Sequence, residues 1–272
     1  MINLKIDNIP VSVEEGSTIL DAAKKLDINI PTLCYLKDYN KSASCRMCVV
    51  EVKGMQKLVT SCSTNATEGM EVFTNTDRVI KDRKQNLELI LSNHNRDCDD
   101  CLKNNKCSLQ KLFNEYHIDD DKFGKYSDIK DIDDSTSYIV RDPNKCILCG
   151  RCVEICREVQ GISVIGKNER GIKTHIGCAF ENNMADAPCI ACGQCVLVCP
   201  TGALSERDDT KEVIAALNNK DLYVVAATAP AVRVALGEDF DLPIGTNVKG
   251  KMVAAVRKLG FKKVFDVNFG AD

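Results

Sequence analysis

The chain opens on short runs in which apolar and polar residues alternate. Ile2–Ile6 and Val11–Val13 follow a period of two on either side of Asp7-Asn8-Ile9-Pro10, which predicts a hairpin. Ser17 or Thr18 then caps a helix carrying Ile19, Leu20, Ala23 and Leu26 on one face. Val49–Val52 and Lys57–Thr60 flank the turn Lys53-Gly54-Met55, and Met70–Phe73 reads as a further strand. Mixed strands around one helix, with cysteines in the intervening loop, predict a small α+β domain over residues 1–76. The spacing of Ile80, Leu87, Ile90 and Leu91 predicts a helix from Asp77 to Asn93. A cysteine-rich loop and a short amphipathic helix with Leu109, Leu112, Phe113 and Tyr116 complete a second domain over 77–117.

Residues 118–137 are acidic, and 138–208 contain two similar cysteine runs, an internal repeat. From 209 to 272 the pattern changes again. Asp209 or Thr210 caps a helix with Val213, Ile214 and Leu217. Leu222–Ala227 is an apolar strand that Pro230 breaks. A helix with Met252, Val256 and Leu259 closes on Gly260, and Lys263–Val267 is a second strand. This reads as one β-α-β crossover of a parallel sheet, a unit that normally needs more strands and helices over both faces. The expected class is multidomain α+β, followed by an incomplete α/β start of a further domain.

Composition changes the picture in one respect. There is no Trp, aromatics are 5 % of the chain, and there are 16 cysteines. Metal–ligand bonds can stand in for hydrophobic burial, because metal-binding free energy becomes folding free energy. The N-terminus lacks the apolar core of a secretory signal and no stretch has the length of a membrane span, so a reducing, cytoplasmic setting with free thiols is expected rather than disulfides. A net charge of −3 argues against nucleic-acid binding. Asp119, Asp120, Asp121, Asp128, Asp131, Asp133 and Asp134 read as a solvated linker, with a docking surface for a basic redox partner as the alternative.

Fifteen of the cysteines and one histidine fall into four groups. Cys34-x10-Cys45-x2-Cys48-x13-Cys62 has the Cys-x2-Cys core of plant-type ferredoxin sites, with ten residues in the first gap where that type has four. Four soft thiolates suit a 2Fe–2S cluster; four-thiolate zinc is the rival. His94-x3-Cys98-x2-Cys101-x5-Cys107 leaves a 4Fe–4S cubane one thiolate short, and His94 stands where it supplies the fourth ligand; a zinc site of three cysteines and one histidine is the alternative.

The last two groups are Cys146-x2-Cys149-x2-Cys152-x3-Cys156 and Cys189-x2-Cys192-x2-Cys195-x3-Cys199-Pro200. In bacterial ferredoxins such runs each lend their fourth cysteine to the other cluster. One 4Fe–4S cluster thus takes Cys146, Cys149, Cys152 and Cys199, and the other takes Cys189, Cys192, Cys195 and Cys156. Arg157 stands where the first run would have Pro, a departure expected to be tolerated. Cys178 is left over as a packed thiol, and His117 and His175 are expected to be structural. The expected cofactors are one 2Fe–2S and three 4Fe–4S clusters. No dinucleotide fingerprint or phosphate-binding loop signals a nucleotide or flavin site.

The order of these groups resembles the N-terminal half of clostridial-type iron–iron hydrogenases, and is similar to the large iron–sulfur subunit of complex I and to some formate dehydrogenases. The segments Ala227-Thr228-Ala229-Pro230-Ala231-Val232-Arg233 and Leu259 to Asp272 look like the opening of the hydrogenase catalytic domain. The resemblance implies an electron-transfer role serving reversible hydrogen oxidation, with a ferredoxin or flavin-containing diaphorase subunits as partners. It also implies that residues matching Ala229 and Pro230 lie beside the catalytic cluster. That cluster's four cysteine ligands and a proton-relay cysteine would lie beyond residue 272, so the chain alone is expected to lack hydrogen chemistry, as a truncated product or an incomplete sequence paired with a missing catalytic domain. The alternative is a stand-alone iron–sulfur carrier subunit of an NAD(P)H- or formate-linked oxidoreductase.

Overall fold

The computed structural model describes residues 1–118, 122–124 and 129–271. They form two compact units, Met1–Arg207 and Asp208–Asp272.

The first unit begins with β1 (Ile2–Ile6) and β2 (Ile9–Val13), an antiparallel hairpin. Its turn is tighter than the sequence pattern predicts. Only Asp7 and Asn8 turn, both at positive φ, while Ile9 and Pro10 pair with Ile6 and Lys5. Pro10 fits there because β2 is an edge strand, where a missing N–H leaves no ladder bond unmade. Thr18, not Ser17, caps α1 (Ile19–Lys25): its hydroxyl accepts from the Asp21 amide, and the Asp21 carboxylate accepts in return from the Thr18 amide. Three more strands, β3 (Val49–Val52), β4 (Val59–Thr60) and β5 (Glu71–Phe73), complete a sheet in the order β2-β1-β5-β3-β4, with β1 and β5 parallel. Leu4, Ile6, Val50 and Val72 of this sheet pack on Ile19, Leu20 and Ala23 of α1.

Thr76 caps α2 (Asp77–Leu91), and Cys107 caps α3 (Ser108–Glu115). The face of α2 that is buried holds Val79, Arg83, Leu87 and Leu91, with Ile80 and Ile90 only partly covered. Arg83, 3 % exposed, donates to the Val49 carbonyl and the Tyr116 hydroxyl, tying α2 to β3 and to the end of α3. Helical periodicity misses such a residue because its charge reads as a solvated face. Of the acidic linker, Asp119, Asp120, Asp121 and Asp128 lie outside the described residues. Asp133 is a correction: it is 7 % exposed rather than solvated, and accepts from Ser135, from the Met184 amide and from Arg141.

The cysteine repeat folds with an internal pairing. β6 (Ile139–Arg141), α4 (Arg151–Glu158) and β7 (Ile165–Asn168) are followed by β8 (His175–Cys178), α5 (Gln194–Val198) and β9 (Leu204–Glu206). The outer strands β6 and β9 pair antiparallel, as do the inner strands β7 and β8, with α4 packed on α5.

The second unit contains α6 (Thr210–Asn218), β10 (Val225–Thr228), α7 (Val232–Ala235), α8 (Lys249–Lys258), β11 (Lys263–Asp266) and α9 (Val267–Ala271). Strands β10 and β11 are parallel, as a β-α-β crossover requires. The carboxylate that receives the Thr210 amide at the start of α6 is that of Asp208. Gly260 follows α8 at φ +110. Val225 and Phe265 are exposed, Val224 and Val264 half-buried, and Ala229 and Pro230 exposed.

Candidate iron–sulfur sites

Each cysteine group sits on a loop whose backbone turns through left-handed conformations. In the repeat the correspondence is residue by residue. Leu148 and Ala191, each just before the second cysteine of its run, have φ +54 and +52. Gly150 and Gly193, each just after it, have φ +77 and +73 and start α4 and α5. Arg46, between Cys45 and Cys48, has φ +52. Successive left-handed turns curl the chain so that side chains three apart face one interior.

The two runs differ where their sequences do. Helix α5 stops at Val198, ahead of Cys199-Pro200, because the residue before a proline is pushed out of the helical region. With Arg157 in place of proline, α4 continues through Cys156 to Glu158, and Arg157 pairs with Glu154 and Glu158 on the outside.

Cys146, Cys149, Cys152 and Cys199 line one void, and Cys156, Cys189, Cys192 and Cys195 line another. Each void thus meets three cysteines of one run and the last cysteine of the other. Burial pushes the Cys146 thiol up to about 11 and Cys149 to about 12, and raises Cys152 well above its usual value. Burial also pushes Cys195 up to about 11. Such thiols hold their protons until a metal displaces them. Cys192 is the exposed member. Cys178 is buried at the end of β8 among Ile139, Ile165 and Met184, and burial raises its thiol too.

His94, Cys98 and Cys107 line a cavity of about 310 Å³ together with Leu91, Leu109 and Phe113. Burial pushes the His94 imidazole down to about 4, against the opposing hydrogen bond to the Lys145 carbonyl, so the ring is neutral near pH 7. Its Nδ1 is buried with no hydrogen-bond partner among the described residues. A neutral imidazole with an orphaned buried nitrogen beside two thiols is a donor set suited to a metal centre. Cys101 does not line this cavity, yet it is close enough to Cys98 and Cys107 to act on their charge. A Cβ on Gly202 would lie 2.5 Å from its sulfur, so any larger residue there would displace the Cys101 side chain. The Cys107 thiol and the Ser108 amide both donate to the Pro200 carbonyl, at 3.6 and 2.9 Å.

Cys34, Cys45, Cys48 and Cys62 are all buried. The Cys34 amide donates to the Cys45 sulfur at 3.4 Å, and the Cys48 and Cys62 sulfurs are 3.3 Å apart. Cys34 is lowered to about 5 and Cys48 to about 7, each chiefly by the side-chain hydrogen bond shared with its neighbour, Cys45 or Cys62; Cys45 and Cys62 are raised by the same bond and by burial. His175 holds the Lys173 carbonyl and the Glu181 carboxylate, and His117 ends α3 at positive φ. Among the described residues no three His, Cys, Asp or Glu side chains converge as a single ion would require.

Four family models match consecutive stretches. They are a 2Fe-2S iron-sulfur cluster binding domain over 1–77, the NADH-ubiquinone oxidoreductase-G iron-sulfur binding region over 83–122, a 4Fe-4S dicluster domain over 130–211, and the C-terminal domain of the iron-only hydrogenase large subunit over 222–272. The NADP-reducing hydrogenase subunit HndD of Solidesulfovibrio fructosivorans is 50 % identical over all of the chain and 47 % of its own length. The chain resembles the N-terminal electron-transfer half of an iron–iron hydrogenase. Iron hydrogenase 1 of Clostridium pasteurianum is 37 % identical over all of the chain and 48 % of its length, so the chain spans about half of these relatives.

The NADH-ubiquinone oxidoreductase 75 kDa subunit of Reclinomonas americana, 34 % identical, covers 76 % of this hydrogenase-like chain and is itself covered over 30 %. A crystal structure of an NAD+-reducing NiFe hydrogenase in the H2-reduced state superposes with a TM-score of 0.71 at 28 % identity, over 76 % of this chain and 87 % of that one. The chain therefore carries 2Fe–2S and 4Fe–4S cluster domains of the kind these oxidoreductases share, and no described helix is long and apolar enough to cross a membrane.

Proposed function

We propose that this chain is the electron-transfer portion of an iron–iron hydrogenase, serving reversible hydrogen oxidation. The observation that carries the reading is the match of residues 222–272 to the hydrogenase C-terminal domain, together with hydrogenase relatives aligned along the whole chain. Cys34, Cys45, Cys48 and Cys62 hold a 2Fe–2S cluster. His94, Cys98, Cys101 and Cys107 hold a 4Fe–4S cluster. Cys146, Cys149, Cys152 and Cys199 hold a second 4Fe–4S cluster, and Cys189, Cys192, Cys195 and Cys156 a third. The two cysteine-lined voids support the crossed sets.

When bound, such clusters accept and release single electrons. The protein's part is to hold the sites close and dry. Cys34, Cys45 and Cys149 share one apolar core with Leu33, Met47 and Leu87, which brings the first group against the second run. Pro200 and Gly202 bring the His94 group against the loop following Cys199. Both groups thus border the Cys146–Cys199 set, the arrangement of a branched path. A ferredoxin or flavin-bearing diaphorase subunits in the cytoplasm are the partners of this reading. A self-contained carrier subunit is the second reading, favoured by the NiFe hydrogenase chain that this chain covers over 87 %.

Iron analysis of anaerobically purified protein tests the assignment. About fourteen irons per chain are expected from one 2Fe–2S and three 4Fe–4S sites. A count near ten removes a cubane. His94→Cys should lower one cluster's potential, because a thiolate makes the site more negative than imidazole does, and an upward shift or none would exclude His94 as a ligand.

A further inference from the structure

The long first gap of the 2Fe–2S group is built, not slack. Leu36 and Asn40 form an antiparallel bridge, with the Leu36 amide 2.9 Å from the Asn40 carbonyl and the Asn40 amide 2.8 Å from the Leu36 carbonyl. Asp38, at φ +67, turns the chain between them. This tight turn leaves the Asn40 residue only 4 % exposed. Its Oδ1 accepts from the Ser42 amide at 3.1 Å, and its Nδ2 donates to the Cys149 carbonyl at 2.9 Å, across 109 positions of sequence. The Ser42 hydroxyl in turn donates to the Ser44 hydroxyl at 3.3 Å. A Cβ on Gly150, next to Cys149, would make only an ordinary contact with the Asn40 nitrogen, 3.7 Å away.

Asn40 thus ties the segment between Cys34 and Cys45 to the Cys149 carbonyl through its own two side-chain hydrogen bonds. The amide is held at both ends, in a region where Cys34, Cys45 and Cys149 already share an apolar core. A plant-type gap of four residues has no length for such a reach.

We propose that Asn40 is a positioning residue that couples the 2Fe–2S site to the cubane site of Cys146, Cys149, Cys152 and Cys199. The proposal rests on the ligand assignment above. One electron leaves one site as one arrives at the other, with no proton moved, and Asn40 is unchanged by the exchange. Its work is to fix the separation of the two loops and keep water out, so that little rearrangement accompanies each transfer. Loss of the donor leaves the Cys149 carbonyl buried and unpaired, which shifts the balance toward a parted, hydrated interface by roughly tenfold or more.

The test uses the full iron-loaded chain, with Asn40→Ala and Asn40→Asp beside the unsubstituted protein. An electron is introduced by pulsed photoreduction, and its redistribution is followed together with the magnetic coupling between the reduced 2Fe–2S site and its neighbour. Both variants should keep their iron and the 2Fe–2S spectrum while redistribution slows about tenfold and the coupling weakens. Unchanged rate and coupling in both variants would overturn the proposal. If the variants lose iron, the unsubstituted protein decides, since absence of coupling between its two reduced sites also overturns it. A chain with no 2Fe–2S spectrum at all would instead refute the ligand assignment on which the proposal stands.

Discussion

Two regions of the first unit are stabilised in contrasting ways. In the 2Fe–2S domain the core of Leu4, Ile6, Ile19, Leu20, Val50 and Val72 is built from a five-stranded sheet and a helix, and only Cys48 and Cys62 of its candidate ligand cysteines join it. In the paired-run module the strands β6 to β9 are three or four residues long, and the core consists of a few aliphatic side chains packed among Cys146, Cys152, Cys156, Cys189, Cys195 and Cys199. The first region is a hydrophobic fold that carries a candidate metal site at its margin. The second has its candidate metal ligands where other proteins have leucines, so metal binding and folding are expected to be one event there.

The largest expected effect comes from removing iron. Anaerobic chelation should abolish amide protection across residues 139–206 and leave β1, β3 and β5 protected in a hydrogen-exchange experiment. Equal loss in both regions would break the contrast, as would equal retention. Ile6→Ala should act in the opposite sense. Truncating this fully buried side chain costs about 2–5 kcal/mol in the 2Fe–2S domain, seen as a lower denaturation midpoint, while the iron bound by the paired-run module stays constant.

Asp133 sharpens the contrast further, because it is one of the few polar supports of the paired-run module. Burial alone would raise its carboxyl, but hydrogen bonds from Ser135 and the Met184 amide, with the Arg141 charge, hold it below its usual value. A carboxyl lowered in the folded state stabilises fully above its unfolded value and loses that contribution as pH falls through the folded one. Stability of the native protein should therefore decline, as pH falls below about 5, more steeply than that of Asp133→Asn, which starts about 1–3 kcal/mol lower and lacks this titration. Parallel pH profiles for the two proteins would show that Asp133 contributes nothing.

Much of this organisation is legible in the residues. A period-two run locates β1, the runs Val49–Val52 and Met70–Phe73 locate β3 and β5, Ser17-Thr18 marks a helix start, and cysteine spacing brings out the four candidate ligand groups, because each of these signals is local. What was not legible depends on chain segments far apart. Pro10 reads as a turn residue until the sheet places it on an edge strand. Arg83 and Asp133 read as solvated charges until tertiary partners bury them. Asn40 carries no local signal, since its partner lies in another module.

The sequence by itself determined which residues can bind metal, their grouping by spacing, and the repeat that makes Gly150 and Gly193 equivalent. These follow from the reach of a short loop and the conformations glycine permits. Only the tertiary structure decided which groups adjoin. The shared core around Cys34 and Cys149, the close approach of Gly202 to Cys101, and the Asn40 amide at the Cys149 carbonyl are packing outcomes. They arise because buried polar groups must find partners and apolar faces must be covered, wherever along the chain those partners lie.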